Sequence, residues 1–269
     1  MNVPIPITTE LIFTKKYTFC TLVTRLDEYL EMVESAKNKG FVGDDVEFLY
    51  FDNQKSNCAD GYLGINVALQ TAQGEYLIFC HQDIVFFDDD REKLDTCLKE
   101  LEHKNKNWAV CGNAGRDYLG DLKVRITDPA MDNLSVGNFP VSVASLDENF
   151  LILNRKNRFA NSSALLNGFH LYALDLCQNA IAMGLACYVI DFHLLHKSGG
   201  HLNQSYFDIE HQYKEIQYQR KQPQDFFAVC SHFTVGRSRF FNWVFKNKIL
   251  ARWRRSYLKR FSKNMIGKN

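Results

Sequence analysis

No stretch of this sequence stays apolar for the roughly 20 residues that a membrane-spanning helix requires, so no transmembrane segment is expected. The opening Met1-Asn2-Val3-Pro4-Ile5-Pro6 has neither the basic start nor the apolar centre of a secretory signal. The eight cysteines never fall at Cys-x-x-Cys spacing, which argues against a zinc cluster or a disulfide framework. Several lie inside apolar runs such as Leu77–Cys80 and Leu185–Ile190, where a free thiol behaves as a small hydrophobe, so a reduced, intracellular protein is expected. Gly-x-Gly-x-x-Gly and Gly-Lys-Ser/Thr are also missing, and with them the dinucleotide fingerprint and the P-loop; a bound nucleotide must be gripped another way. Finally, no Asp or Glu occurs from Arg237 to Asn269 against eleven Lys and Arg, so a basic tail follows an acidic body in a chain whose net charge is only +1.

What is present suits a large core. The chain has 269 residues, 46% hydrophobic and 23% charged, enough for one extended domain or a domain with an appendage. Its organising stretch is Gly74 to Phe86. Tyr76–Cys80 reads as a continuous apolar strand of the kind buried on both faces of a parallel sheet. His81, Gln82 and Asp83 follow abruptly at its carboxyl end, where open α/β sheets bind ligands. A carboxylate beside an imidazole at that position points to a ligand or a metal; the competing reading is a turn with a solvated Asp.

The flanking sequence supplies the rest of a β-α-β unit. Tyr17–Thr24 is β-branched and aromatic, a first strand. Asp27 is a cap for a helix through Tyr29, Leu30, Met32, Val33 and Ala36, with Gly40 as its stop. Val46–Phe51 is a second strand ending at Asp52-Asn53. Residues 57–64 read as a loop, and Ile65–Ala72 as a helix closed by Gly74. Asp88-Asp89-Asp90 opens a charged helix through Leu101, and this acidic run reads as a dipole-matched, solvated helix start in preference to a metal site. Trp108–Gly115 is a strand with a glycine-bearing turn, and 116–138 a loop or hairpin excursion over the site.

This ordered series resembles the family-2-type glycosyltransferases of the GT-A fold: a strand ending in Thr24-Arg25, a strand ending in Asp52-Asn53, a helix with Asn66 and Ala68, and Gly74-Glu75-Tyr76-Leu77 running into Asp83. More narrowly it resembles the branch with His-Gln-Asp in place of Asp-x-Asp. The resemblance covers about residues 17–200. It implies an α/β fold of GT-A (Rossmann-like) type, with a mixed, mainly parallel sheet flanked by helices, over 1–235, followed by a basic aromatic helical tail over 236–269. It implies that Asp83 holds a divalent metal against a sugar-nucleotide diphosphate and that Asp52 meets the nucleoside. Thr24, Arg25, Asn53, Asn66, His81, Gln82 and Lys197 are the other nucleotide-sugar candidates, His81 standing where the family has its first Asp. The chemistry is sound without the family: an oxygen-coordinated Mg²⁺ or Mn²⁺ neutralises charge on a departing nucleoside diphosphate, and a histidine beside Asp83 favours Mn²⁺ over Mg²⁺.

Further along, the acidic pair Asp147-Glu148 interrupts two apolar runs and is a candidate for acceptor binding, with a plain turn as the alternative; in the resembling family this position carries an Asp, which Asp147 matches. Asn167–Cys177 leads into an Ala-rich helix ending at Gly184. The family has Glu-Asp-x-Asp-Leu here, its first Asp the general base; Asp175 matches the last Asp, while Tyr172 and Ala173 occupy the Glu-Asp positions. Since Ala173 accepts no proton, the base candidates are Asp175, His170 and Asp147. After the strand Leu185–Ile190, His196 before Ser198-Gly199-Gly200 matches the family's metal histidine; the glycines let the loop approach a diphosphate and Lys197 screens its charge. A polar helix is expected over 206–222, then the basic aromatic tail, for which an anionic membrane surface fits better than nucleic acid, with a packing helix that has a solvated basic face as the alternative.

The expected function is metal-dependent transfer of a sugar, with inversion, from a nucleotide donor (a UDP-sugar by resemblance) to a saccharide or lipid-linked acceptor in surface polysaccharide or lipopolysaccharide synthesis. The expected setting is cytoplasmic and peripheral at the membrane. The rival readings are a nucleotide-sugar-binding protein without catalysis and a nucleotidyltransferase.

Overall fold

A computed structural model describes residues 10–199, 203–220, 224–227, 232–245, 247, 249–250, 253 and 256–257. In chain order its elements are β1 (Lys15–Val23), α1 (Leu26–Asn38), β2 (Val46–Asp52), α2 (Gly61–Thr71), β3 (Gly74–Cys80), β4 (Ile84–Val85), α3 (Arg91–Lys104), β5 (Trp108–Gly112), β6 (Ala114–Arg116), β7 (Leu122–Thr127) and β8 (Leu134–Val136). There follow β9 (Val141–Val143), β10 (Ser145–Leu146), β11 (Phe150–Asn154), α4 (Tyr172–Ala182), β12 (Ala186–Val189), β13 (Leu194–His196), α5 (Gln204–Arg220), β14 (Gln224–Phe227), β15 (His232–Val235) and α6 (Arg239–Phe245). Two compact units result, Met1–Ile209 and Glu210–Asn269.

The first unit is mixed α/β. Its main sheet runs β2-β1-β3-β11-β5-β12-β9, with β1 parallel to both β2 and β3, and β12 parallel to β5. β11 lies antiparallel between β3 and β5. Period-two alternation divides each central strand between two covered faces. Tyr17, Phe19, Ile78, Phe150 and Ile152 join one core with Met32 and Ala36 of α1 and Leu94 and Leu101 of α3. On the opposite face α2 approaches Leu22 and Phe79 at Gly64, and the Tyr172 ring of α4 packs edge-on against Phe79. A second sheet runs β10-β6-β7-β13-β4 with β8 on β7; the excursion at 116–138 contributes β7 and β8, an antiparallel pair, so of the two readings it takes the hairpin.

Several helix ends differ from expectation for local reasons. α1 starts at Leu26 with Arg25 as an N-cap whose side chain makes no capping bond, while Asp27 sits in the first turn. Gly40 ends it at φ +87°, a left-handed position where glycine carries no Cβ penalty. α2 begins four residues before Ile65, capped by Asp60, whose side chain accepts from Leu63 N at 2.9 Å. Gly61 and Gly64, read as loop residues, are helical, and close neighbours account for the glycines: a Cβ on Gly61 would stand 2.1 Å from Tyr172 Cδ1, and one on Gly64 3.1 Å from Leu22 Cδ2. α3 is capped by Asp90, while Asp88 and Asp89 hold the ring and backbone N–H of His193. The seven cysteines among the described residues are free, six of them buried.

The second unit contains the antiparallel hairpin β14–β15 and the short α6, whose N-cap Ser238 accepts from Phe241 N at 3.0 Å. Trp243, Trp253 and Tyr257 are exposed there. Gly200, His201 and most of the tail beyond Phe245 lie outside the described residues. No described helix is long and apolar enough to cross a membrane.

Candidate functional site

The His-Gln-Asp tripeptide leaves β3 at the carboxyl end of the parallel strands. It is held there from two sides. His81 N donates to Asn149 O at 2.9 Å, and Asp83 O accepts from Lys197 N at 3.0 Å. Antiparallel pairing of β13 with β4 sets His196 opposite Ile84, next to Asp83. Register therefore brings three donor atoms together: His81 Nδ1 is 3.4 Å from His196 Nε2, His196 Nε2 is 3.4 Å from Asp83 Oδ1, and His81 Nδ1 is 4.0 Å from Asp83 Oδ1. Donors sharing one cation at about 2.1 Å stand roughly 3–3.5 Å apart, so small side-chain movements bring all three onto an ion.

Electrostatics suits the same use. Burial opposes ionisation of Asp83, but hydrogen bonds from His196 and Ser198 hold its pKa well below the usual carboxylate range. Burial, reinforced by the His196 charge, lowers the pKa of His81 and keeps its ring neutral. Burial also acts to lower His196, yet its bond to Asp83 outweighs this and raises it. A proton thus shared between His196 and Asp83 is one that a cation would displace on binding.

Behind His81 stands Tyr172. Its hydroxyl lies 3.3 Å from His81 Nε2 and donates to Glu148 O at 3.3 Å. With Nδ1 turned to the cluster, the Nε2 hydrogen faces the tyrosine oxygen, the usual way a ligand histidine has its tautomer and ring orientation fixed. Burial pushes the Tyr172 pKa well above its ordinary range, so the phenol keeps its proton.

A cavity of about 190 Å³ opens beside the cluster, lined by Thr24 and Arg25 from the end of β1, by His81, Gln82 and Asp83, and by Phe169 and Tyr172. Gln82 clasps the two strand ends: its oxygen accepts from Thr24 N and Arg25 N at 2.9 and 3.0 Å, and its amide donates to Thr24 Oγ1 at 3.0 Å. Arg25 is exposed and paired with Glu28 at 2.6 Å.

The other expected residues are placed differently. Asp52 pairs in register with Val23 and so shares that end of the sheet, but it is exposed, bonded to Gln54 and outside the cavity lining. Asn53 is buried, bracing Cys58 and Ala59. Asn66 is tied to Asn161 and Ser163 and lines a separate cavity with Arg155 and Arg158. Lys197 gives its ammonium to Glu31 at 2.7 Å.

The acid candidates separate as well. Asp175 is fully buried, accepting from Ser162 N at 2.7 Å, Ser162 Oγ at 3.0 Å and Asn179 Nδ2 at 3.2 Å, which ties the preceding loop to α4. Asp147 is exposed and accepts from Asn149 N at 3.0 Å. His170 is half-buried, edge-on to Tyr206. Three residues take roles that sequence reasoning did not give them: His81, read as a nucleotide-sugar contact, is a third potential metal donor, Tyr172 is its support, and Glu148, read as half of an acidic pair, lies near the start of α4. Position carried the signal for Glu148, since an acid just before β11 arrives at the end of β3 once those strands pair.

No family model matches the sequence. In structure the chain is similar to A197 from STIV, with a TM-score of 0.37 and 13% identity over 70% of this chain and 97% of that one. It is also similar to TarS 1–349 of S. aureus, with a TM-score of 0.43 and 9% identity over 68% of this chain and 60% of that one. In sequence it is 34% identical to the ATP synthase subunits region ORF 6 protein of Fuscovulum blasticum over 189 residues, 68% of this chain and 76% of the relative. That name gives a genomic region and no activity. With identity at this level sustained along most of both sequences, the chain belongs to the family of the ATP synthase subunits region ORF 6 protein.

Proposed function

We propose that this chain is a metal-dependent glycosyltransferase of the GT-A kind, moving a sugar with inversion from a nucleoside diphosphate to a saccharide or lipid-linked acceptor in surface glycan synthesis. The observation that carries the reading is the convergence of His81 Nδ1, Asp83 Oδ1 and His196 Nε2 at the carboxyl ends of parallel strands, beside a cavity floored by the end of β1. His81, Asp83 and His196 would hold a divalent cation, Mn²⁺ ahead of Mg²⁺ because two of the three donors are imidazoles. Bound there, the cation supplies Lewis-acid stabilisation of the departing diphosphate. Gln82 keeps the β1 and β3 ends at fixed separation, Arg25 offers positive charge at the cavity, and Tyr172 orients His81. By the family resemblance Asp52, exposed at the same end of the sheet, would meet the nucleoside, with uridine the base that the resemblance favours. The catalytic domain is taken as residues 1–235, and the tail, 236–269, as the segment that meets an anionic membrane surface.

A nucleotide-sugar-binding protein without catalysis is the second reading, favoured by Tyr172 and Ala173 where the resembling family carries Glu-Asp. Calorimetry with UDP and Mn²⁺ tests the site common to both. Binding is expected to depend on the metal in the wild type, and that dependence to vanish in Asp83→Ala and in His196→Ala. Undiminished Mn²⁺-dependent binding in both variants would refute the shared centre.

A further inference from the structure

We infer that Glu148 takes the proton from the acceptor hydroxyl, and that the cavity it lines receives the acceptor, a polyhydroxylated group. This rests on the glycosyltransferase reading and supplies the proton acceptor that Ala173 does not.

The cavity measures about 390 Å³ and is lined by Arg116, Asp147, Glu148, Leu171 and Tyr206 among others. Carboxylate, guanidinium and phenol around apolar leucine are groups that suit a hydroxyl-rich, partly apolar ring. Leu171 lines this cavity and the next residue, Tyr172, lines the one beside the metal cluster, so both cavities reach the start of α4.

The start of α4 is built unusually. Its N-cap, Leu171, has φ +61° and makes no side-chain capping bond. A branched residue in the left-handed region carries strain that the surroundings must hold. The Glu148 carboxyl group stands close enough to the backbone N–H groups of Ala173 and Leu171 for them to favour its charged form. The positive end of the helix acts in the same direction. The same residue is joined to the metal cluster, because Tyr172 bonds both the Glu148 carbonyl and His81. Neither rival acid is placed this way, since Asp175 is enclosed with Ser162 and Asn179, and Asp147 is exposed at a turn.

Burial, then the charge of Asp147, raise the Glu148 pKa to about 8 against the opposing N–H groups. Also facing it are Tyr172 and Cys177 of α4, with Arg116 of β6 and Tyr206 of α5 across the cavity. A carboxylate of that basicity is an effective proton acceptor once ionised, so the active fraction, and turnover with it, rises as pH approaches 8. In the step, the acceptor oxygen bonds to the anomeric carbon as the bond from that carbon to the diphosphate oxygen breaks. The electron pair departs with the nucleoside diphosphate, and the acceptor's proton passes to Glu148.

The test pairs binding with turnover in Glu148→Gln, whose amide keeps the size and shape of the side chain but is no base, and in Glu148→Asp, which keeps a base. Binding of UDP with Mn²⁺ is measured by calorimetry, and nucleoside diphosphate release from UDP-, GDP- and dTDP-sugars is followed with methyl glycosides as acceptors across pH 5–9. The expectation is that Glu148→Gln binds as the wild type does, releases product roughly 10²–10⁴-fold more slowly and loses the pH dependence, with partial recovery in Glu148→Asp. Wild-type turnover in Glu148→Gln overturns the assignment while leaving the donor site standing. Should Glu148→Gln fail to fold, an Asp variant no more active than a Glu148→Ala variant overturns it equally. A wild type that binds UDP and Mn²⁺ yet turns over no donor refutes both the transferase reading and this assignment; a wild type that binds neither refutes the donor site itself.

Discussion

Replacing Tyr172 by Phe removes one oxygen atom from the interior and isolates its effect on the metal cluster. The ring still fills the space beside Gly61 and Phe79, so packing is retained. What is lost is the link from His81 Nε2 through the hydroxyl to Glu148 O, two bonds of 3.3 Å each. Removing the partner of a ligand histidine lowers metal affinity by about 10–100-fold. Both bonds are longer than the usual hydroxyl hydrogen bond, which puts the expected loss near the lower end, about tenfold or ~1.4 kcal/mol. Global stability should fall too, by roughly 1–3 kcal/mol, because the Glu148 carbonyl loses its donor. The two effects separate when free Mn²⁺ is titrated by paramagnetic resonance at a temperature where both proteins are folded. Affinity within twofold of the wild type would mean that His81 is not oriented by Tyr172. If His81→Ala were equally silent, His81 would not be a ligand at all.

Two further outcomes are expected. Because the folded state holds the Glu148 proton up to about pH 8 while an unfolded chain releases it near 4.5, the folded state binds more protons between those values, and stability should decline as pH rises through that window, by up to about 1.4 kcal/mol per pH unit. Denaturant melts of wild type and Glu148→Gln should show this decline in the first and not the second; parallel curves would place Glu148 in a solvated, ordinary environment. In the tail, the exposed Phe240, Trp243 and Trp253 interleave with basic residues, so the intact chain should sediment with anionic vesicles at low salt and be released at high salt. A chain ending before Arg237 should stay in solution, and equal behaviour of the two would exclude a membrane role for the tail.

The β1-α1-β2 unit, the apolar β3 and the polar tripeptide after it were legible because period and punctuation are local properties. Asp83 and His196 were legible as a pair through the ordered resemblance, and β13–β4 register brings them together. What local sequence does not carry is the company that side chains keep. Gly61 and Gly64 look like loop residues until Tyr172 and Leu22 are seen occupying the space a Cβ would need. Asp175 aligns with a motif carboxylate, yet its partner is Ser162, on a loop whose path is set by packing. Glu148 carries no motif of its own. Its position follows from β11 joining the sheet beside β3, a pairing between segments far apart in the chain. Tyr172 read as a substitution in a familiar pattern, and only the fold supplies the histidine and the carbonyl that give its hydroxyl a purpose.

The antiparallel insertion of β11 also sets an order of events during synthesis. β3 and β5 are buried hydrophobic strands whose facing edges meet only through β11. Until Phe150–Asn154 leaves the ribosome, each presents an unpaired row of backbone donors and acceptors on an apolar ribbon, the surface most prone to pair with another chain. His81 and Asp83 are made early, but the strand that anchors His81 through Asn149, and the β13 histidine, arrive much later. The nascent chain must therefore hold the open edge of β2-β1-β3 apart from β5, whose other partner, β12, comes later still, and the strand that closes the gap also brings Glu148 to the site.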